Sequence, residues 1–372
     1  MGTGDRAGGA RHRSSSLLCG ILLLASACSP APSSAPAGHL LNVCSSPKTA
    51  VAAPARITVG RVTVQLPDAT AKITWEDGPS VIPTGGNFIV HAEGKGVIDP
   101  AAYKAVPQVP MYEYLVSSSG SIVASRHDWQ IDESGMDGSV FVLAGPGARW
   151  ALIDNRGEER QLNMSWDFLP LLRDIQGRIW AFGRNSDKLS LVELDSTGSS
   201  PQTVEYGGNQ IKSYSGSCDG GLWIVTDGGV LNRVTANGFS KLADNLPVDT
   251  TPIGVWPASD GTVWLIEYLT SPPPDNFSTG EVRVSRFSVG GMVGTPLTVS
   301  DPDFISIVGG PDGALWGLGT GVLYRIGLDG RVRTYSVPER AAAAPGLETS
   351  QDGRLVYVCG SRTLCFVNVP VA

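Results

Sequence analysis

One short motif constrains this chain more than any other feature: Asp-Gly-x-apolar-aromatic, repeated along most of its length. It stands at Asp219-Gly220-Gly221-Leu222-Trp223, Asp260-Gly261-Thr262-Val263-Trp264 and Asp312-Gly313-Ala314-Leu315-Trp316. Variants are Asp137-Gly138-Ser139-Val140-Phe141, Gln176-Gly177-Arg178-Ile179-Trp180 and Asp352-Gly353-Arg354-Leu355-Val356-Tyr357. The matched aromatics fall at 141, 180, 223, 264, 316 and 357, and the longest interval holds the insertion 271–280. A period of about 40–50 residues made of strand-like pieces marks propeller blades. A weaker unit at Gly85-Gly86-Asn87-Phe88-Ile89-Val90 makes a seventh.

Each unit reads as four strands. Between 304 and 337, apolar alternation predicts strands at Phe304–Gly309, Ala314–Leu318, Val322–Ile326 and Arg331–Val337. The Asp-Gly pairs supply the positive φ that tight hairpin turns require. A lone four-stranded sheet cannot bury both faces, so the blades must stack in a ring. The last unit has three strands and then the chain stops. Gly60-Arg61-Val62-Thr63-Val64-Gln65-Leu66-Pro67 matches the fourth-strand pattern of Gly330–Pro338. Residues 57–66 are therefore expected to complete the last blade and cover its open edge. The expected fold is all-β: seven four-stranded antiparallel blades spanning 57–372.

The Asp-Gly-x-Leu-Trp units, with Leu323-Tyr324-Arg325-Ile326-Gly327-Leu328-Asp329-Gly330-Arg331-Val332, resemble the virginiamycin B lyase and NHL-like propeller superfamily. The resemblance implies the propeller fold. For the lyase it implies a histidine base with carboxylates and magnesium. After the leader, the histidines here are His39, His91 and His127, and the later blades have none. No residue matches the base, so no catalytic residue is carried over. His91 and His127 read as strand-end or loop histidines making ordinary hydrogen bonds.

The N-terminus reads as an address. Arg6, Arg11 and Arg13 precede the apolar run Leu17–Ala27, which is too short for a bilayer-spanning helix and fits a secretory leader. Ala25-Ser26-Ala27-Cys28 resembles a lipobox, which implies cleavage after 27 and diacylation of Cys28. Residues 28–56, rich in Ser, Pro and Ala, read as a tether that packs on nothing. The formal net charge of −7 becomes −9 once Asp5 and the three arginines leave. That balance argues against nucleic acid. The expected setting is the extracytoplasmic face of a membrane, as a lipid-anchored monomer.

Cysteine pairing follows from that compartment. Cys359 and Cys365 flank a short hairpin and are expected to bond. Cys44 with Cys218 is open to pairing by elimination only.

In this fold the Asp-Gly turns all lie at one end, and the opposite end carries the more variable loops. There fall the loop 93–110, the insertion 269–280, and connectors with Asp128, Asp167, Asp249 and Asp303. Glu93, Asp227, Glu267 and Asp303 are the candidate ligand or metal face, and an oxygen-rich set of this kind suits Ca2+ or Mg2+. The bland alternative is that each recurring Asp bonds its own turn amides. Two functions compete. One is a binding or scaffold module for a protein, glycan or cell-wall ligand, with Trp129, Trp166 or Tyr103 exposed. The other is a metal-assisted lyase or lactonase-like enzyme, which needs the acids to converge.

Overall fold

A computed structural model describes residues 44, 49–67, 70–73, 81–84, 86–93, 111–126, 129–134, 139–144, 149–153, 158–165, 168–174, 176–185, 188–199, 201–204, 211–226, 229–235, 237–243, 251–268, 281–300, 306–340, 346–350 and 352–369. They form seven antiparallel sheets arranged as the blades of a propeller. Blade 1 holds Val81–Thr84, Asn87–Glu93, Met111–Ser117 and Ile122–Arg126, with Lys72–Ile73 extending its inner row. Blade 2 holds Trp129–Ser134, Val140–Ala144, Arg149–Ile153 and Glu159–Gln161, and blade 3 Phe168–Arg173, Ile179–Asn185, Lys188–Leu194 and Gln202–Val204. Blade 4 holds Ile211–Gly216, Leu222–Thr226, Leu231–Thr235 and Gly238–Ala243. Blade 5 holds Thr251–Pro257, Val263–Tyr268 and Glu281–Ser288, and its outer row is split into Gly291–Met292 and Leu297–Ser300. Blade 6 holds Ser306–Gly309, Leu315–Leu318, Val322–Ile326 and Val332–Ser336. These four strands lie within two residues of the boundaries the alternation predicts.

Blade 7 takes Leu347–Thr349, Arg354–Gly360 and Thr363–Asn368 from the end of the chain and Thr58–Thr63 from its beginning. The early strand runs antiparallel to Thr363–Asn368, from Thr58 opposite Asn368 to Thr63 opposite Thr363. Beyond it the chain steps onto blade 1: Gln65 N–H donates to Gly120 O at 3.0 Å, and a Cβ on Gly120 would collide with the backbone of Thr63. Val64, Leu66 and Ile73 join Phe88, Val90, Val356, Val358 and Phe366 in one buried cluster between blades 1 and 7.

The other interfaces repeat this plan. In each blade the second strand offers one side chain backward and the next forward. Leu315 packs toward blade 5 and Trp316 toward blade 7; Leu222 packs toward blade 3 and Trp223 toward blade 5. Each fully buried side chain of this size contributes about 1.5–3 kcal/mol. The last blade breaks the sequence-level alignment. Ser350 N–H bonds Arg354 O as Gly310 N–H bonds Ala314 O, so Val356, not Tyr357, stands at the tryptophan position. Tyr357 points the opposite way, into the blade 6–blade 7 cluster, and its hydroxyl donates to Pro338 O at 2.8 Å.

Successive hairpins alternate ends of the ring. The turns between first and second and between third and fourth strands, including the Asp-Gly turns, lie at one end. The remaining loops lie at the other, the variable-loop end. Among the described residues no helix is long and apolar enough to cross a membrane.

Candidate functional site

At the Asp-Gly end the aspartates are occupied by their own blades. Asp312 is buried, and its Oδ1 accepts from Trp316 Nε1 at 2.9 Å and from Ala314 N–H at 3.3 Å. Its Oδ2 accepts from Arg325 Nε at 2.6 Å. Arg325 lies directly across the strand pair from Trp316, so the register itself brings the clamp together. Blade 4 repeats the Asp–Arg pair with Asp219 and Arg233, the arginine lying across from Trp223 and over its indole at 5.3 Å, but there the aspartate side chain is largely exposed. Burial works against the Asp219 carboxylate, but Ser217 and Arg233 outweigh it and hold its pKa below the ordinary 3.8. In blade 3 Asp174 receives Trp180 Nε1, Arg178 Nε and two turn amides.

Blade 5 carries a looser version. Asp260 bonds the amide and hydroxyl of Thr262, and its second oxygen reaches Arg286 at 3.3 Å. Arg286 lies over Trp264, but the Trp264 indole N–H has no partner among the described residues.

The N-terminal segment is tied to this same end, which corrects the expectation of a tether that packs on nothing. Cys44 is bonded to Cys218 in the first turn of blade 4 and packs on the blade 3–blade 4 cluster. Val51 O accepts from Arg325 Nη2 at 2.9 Å. Ala53 O and Pro54 O accept from Arg333 Nη1, and Tyr335 donates to Pro54 O at 2.8 Å. Cys44 and residues 49–57 thus strap the segment to the ring, at blade 4 through the disulfide and at blade 6 ahead of the closing strand. The second expected disulfide, Cys359–Cys365, is also formed.

At the variable-loop end, Glu267 is the one residue of the candidate face whose side chain is described. It is 0% exposed, and its Oε2 accepts from Arg283 Nε at 2.9 Å and Nη2 at 2.7 Å. Arg283 stands opposite it on the next strand. That oxygen is paired with the guanidinium inside the blade. Glu93 ends its strand between Lys72 and Met111 in the ladder, and its side chain lies outside the described set. Asp227, Asp303, Asp128, Asp167, Asp249, His39, His127, Trp166, Tyr103 and Cys28 lie outside the described residues, and Trp129 is described for its backbone alone. Among the described residues no three His, Cys, Asp or Glu side chains gather as a metal cage.

The sequence reading did not foresee one pair at this end. His91 Nδ1 lies 3.4 Å from Glu113 Oε1 across neighbouring strands of blade 1. The Glu113 side chain is 7% exposed and the His91 side chain 25%. The other Glu113 oxygen is buried with no partner among the described residues. A carboxylate on one imidazole nitrogen orients the ring. The signal was present in the sequence as a polar residue inside each of two strands, His91 in Asn87–Glu93 and Glu113 in Met111–Ser117.

No family model matches the chain, and no curated protein matches it by sequence. Solved structures match it in shape. The virginiamycin B lyase from Staphylococcus aureus aligns with a TM-score of 0.53 at 12% identity, over 85% of this chain and 100% of its own. The architecture shared with it is a seven-bladed β-propeller. YCF48, solved with a bound peptide, aligns at 0.52 and 11% identity over 88% of this chain and 100% of its own. An oligogalacturonate lyase in complex with manganese aligns at 0.52 and 10% identity, over 84% and 96%. Identities this low speak to the fold alone, because function lives in sites grafted on folds.

Proposed function

We propose that the protein is a lipid-anchored, extracytoplasmic propeller that serves as a binding or scaffold module through its variable-loop end. The carrying observation is the Cys44–Cys218 bond, with Cys359–Cys365 beside it. Disulfides persist in oxidising, exported compartments, and this one fastens the segment just behind Cys28 to the ring. The closed Glu267–Arg283 pair supports a surface that recognises a partner over one that cages a metal. The partner is a protein, glycan or cell-wall component.

Metabolic palmitate labelling tests the anchor. The wild type should take up label and pellet with membranes, and Cys28→Ala should do neither. An unlabelled wild type contradicts the reading.

A second reading, a metal-assisted lyase or lactonase-like enzyme, draws on the His91–Glu113 pair as a proton-transfer couple. Its test is opening of a streptogramin B ring with added magnesium. No turnover is expected. Magnesium-dependent turnover abolished in His91→Ala or Glu267→Gln would promote it.

A further inference from the structure

We infer that the Asp-Gly end of the ring bears on the lipid headgroup surface, so that the variable-loop end is turned away from the membrane. This rests on the lipid-anchor reading and adds an orientation to it. Two independent observations carry it.

The first is where the chain leaves the ring. If the closing strand alone held the N-terminus, residues 29–57 would separate the lipid from the outer edge of blade 7. At no more than about 3.6 Å per residue, that leash would reach roughly 100 Å. Such a reach lets the ring roll into any attitude. The strap and Cys44–Cys218 move the exit to the first turn of blade 4, at the Asp-Gly end. Fifteen residues, 29–43, then remain between Cys28 and Cys44. Their full extension is roughly 55 Å, an upper bound that any turn shortens. The end from which a short leash departs is the end held toward its anchor.

The second observation is the distribution of exposed apolar side chains. The described large ones are Val123, Phe239, Val289, Met292 and Val332, with Val289 66% and Met292 56% exposed. Each lies in, or within two residues of, a turn between third and fourth strands, and so at the Asp-Gly end. Four of the five belong to blades 4, 5 and 6, the part of the ring that runs from the Cys218 attachment to the Val51 attachment. The outer strands bearing Phe239 and Met292 are in contact with each other. Scattered surface hydrophobics need no explanation, whereas a one-sided set marks an interface. An apolar rim buries area at the headgroup boundary, and binding there scales with that area. The anchor fixed beside this rim selects lipid as the occupant over a soluble protein. The net charge of −9 left after the leader is removed gives anionic lipid no electrostatic pull, so attitude is set by leash and rim.

The test uses the full-length lipidated protein in phosphatidylcholine vesicles containing a lipid-borne fluorescence quencher. A fluorophore is placed at Met292→Cys, or on the same ring at Thr320→Cys in the second-to-third turn of blade 6, an exposed position at the variable-loop end. The probe at 292 should be quenched several-fold more than that at 320. In the Cys44→Ser/Cys218→Ser background the difference should narrow. Equal quenching, or stronger quenching at 320, in protein that carries palmitate and floats with vesicles overturns the orientation alone. Loss of palmitate overturns the anchor reading and the orientation with it. A 292 probe shielded equally with and without quencher lipid, in protein that runs as a dimer, overturns it in favour of a second copy.

Discussion

Blades 6 and 5 are built from the same repeat, yet they hold their charges differently. In blade 6 Asp312 and Arg325 are both buried, and the aspartate also receives Trp316 Nε1. In blade 5 Asp260 and Arg286 stay partly open, and Trp264 Nε1 has no partner among the described residues. The extra difference is the strap: Arg325 donates a further N–H, from Nη2, to Val51 O, so blade 6 is where the N-terminal segment is locked down. A repeat position becomes a structural anchor when a second segment completes its hydrogen bonding. It stays a surface pair when none does.

The comparison is broken most severely by removing the segment that completes it. Deleting residues 29–43 should leave the melting temperature unchanged. Deleting 29–67 removes the closing strand, exposes two sheet edges, and should abolish cooperative unfolding. Equal stability of the two truncations would refute closure. Next in size is Asp312→Ala, which strands a buried guanidinium and a buried indole N–H and should cost about 3–5 kcal/mol by denaturant titration. Asp260→Ala removes a partly solvated partner and should cost about 1 kcal/mol. Comparable losses would show that the strap adds nothing to blade 6.

Glu267→Gln should be milder than Asp312→Ala, since Arg283 keeps an amide oxygen and reaches solvent. It should leave calcium or magnesium binding by calorimetry unchanged. Lost cation binding would return Glu267 to the metal face. The smallest effect is on pH. For Asp352, burial raises the pKa, but Arg354 and Ser350 overcome it and leave a net lowering, as Ser217 and Arg233 do at Asp219. A lowered folded-state pKa means the contribution is present above the ordinary value of 3.8 and lost as pH falls through the folded value. Asp352→Asn should therefore flatten the acid limb of a stability–pH curve, with a small loss of stability near neutrality that vanishes as wild type and variant converge in acid. Burial raises the Tyr357 pKa, so its neutral hydroxyl stabilises below the ordinary value of 10.0 and that contribution is lost in strong alkali.

The blades were legible because the turn chemistry is local: a glycine with positive φ fixes where two strands meet, as at Gly313, φ 74°. The clamp was not, although its residues stood in view. Arg325 lies nine residues after Trp316, Arg233 ten after Trp223, and Arg286 twenty-two after Trp264. Only strand register shows them as equivalent. Tyr357 was misaligned because aromaticity was matched instead of distance from the glycine. Trp316 is three residues past Gly313, and three past Gly353 is Val356. The Cys44–Cys218 bond spans 174 residues, and no spacing rule reaches so far. At the candidate face, Glu267 was rightly placed near a strand end, but its arginine partner is a cross-strand neighbour beyond a twelve-residue loop.

The central claim is that a lipidated N-terminus is fastened by a disulfide to a closed ring. Intact-mass measurement on protein from the membrane fraction, before and after alkylation without reductant, tests it most directly. The account predicts a chain beginning at Cys28 with added acyl mass and no alkylatable thiol at Cys44, Cys218, Cys359 or Cys365. A chain without acyl mass, or one alkylated at Cys44 and Cys218, would contradict it.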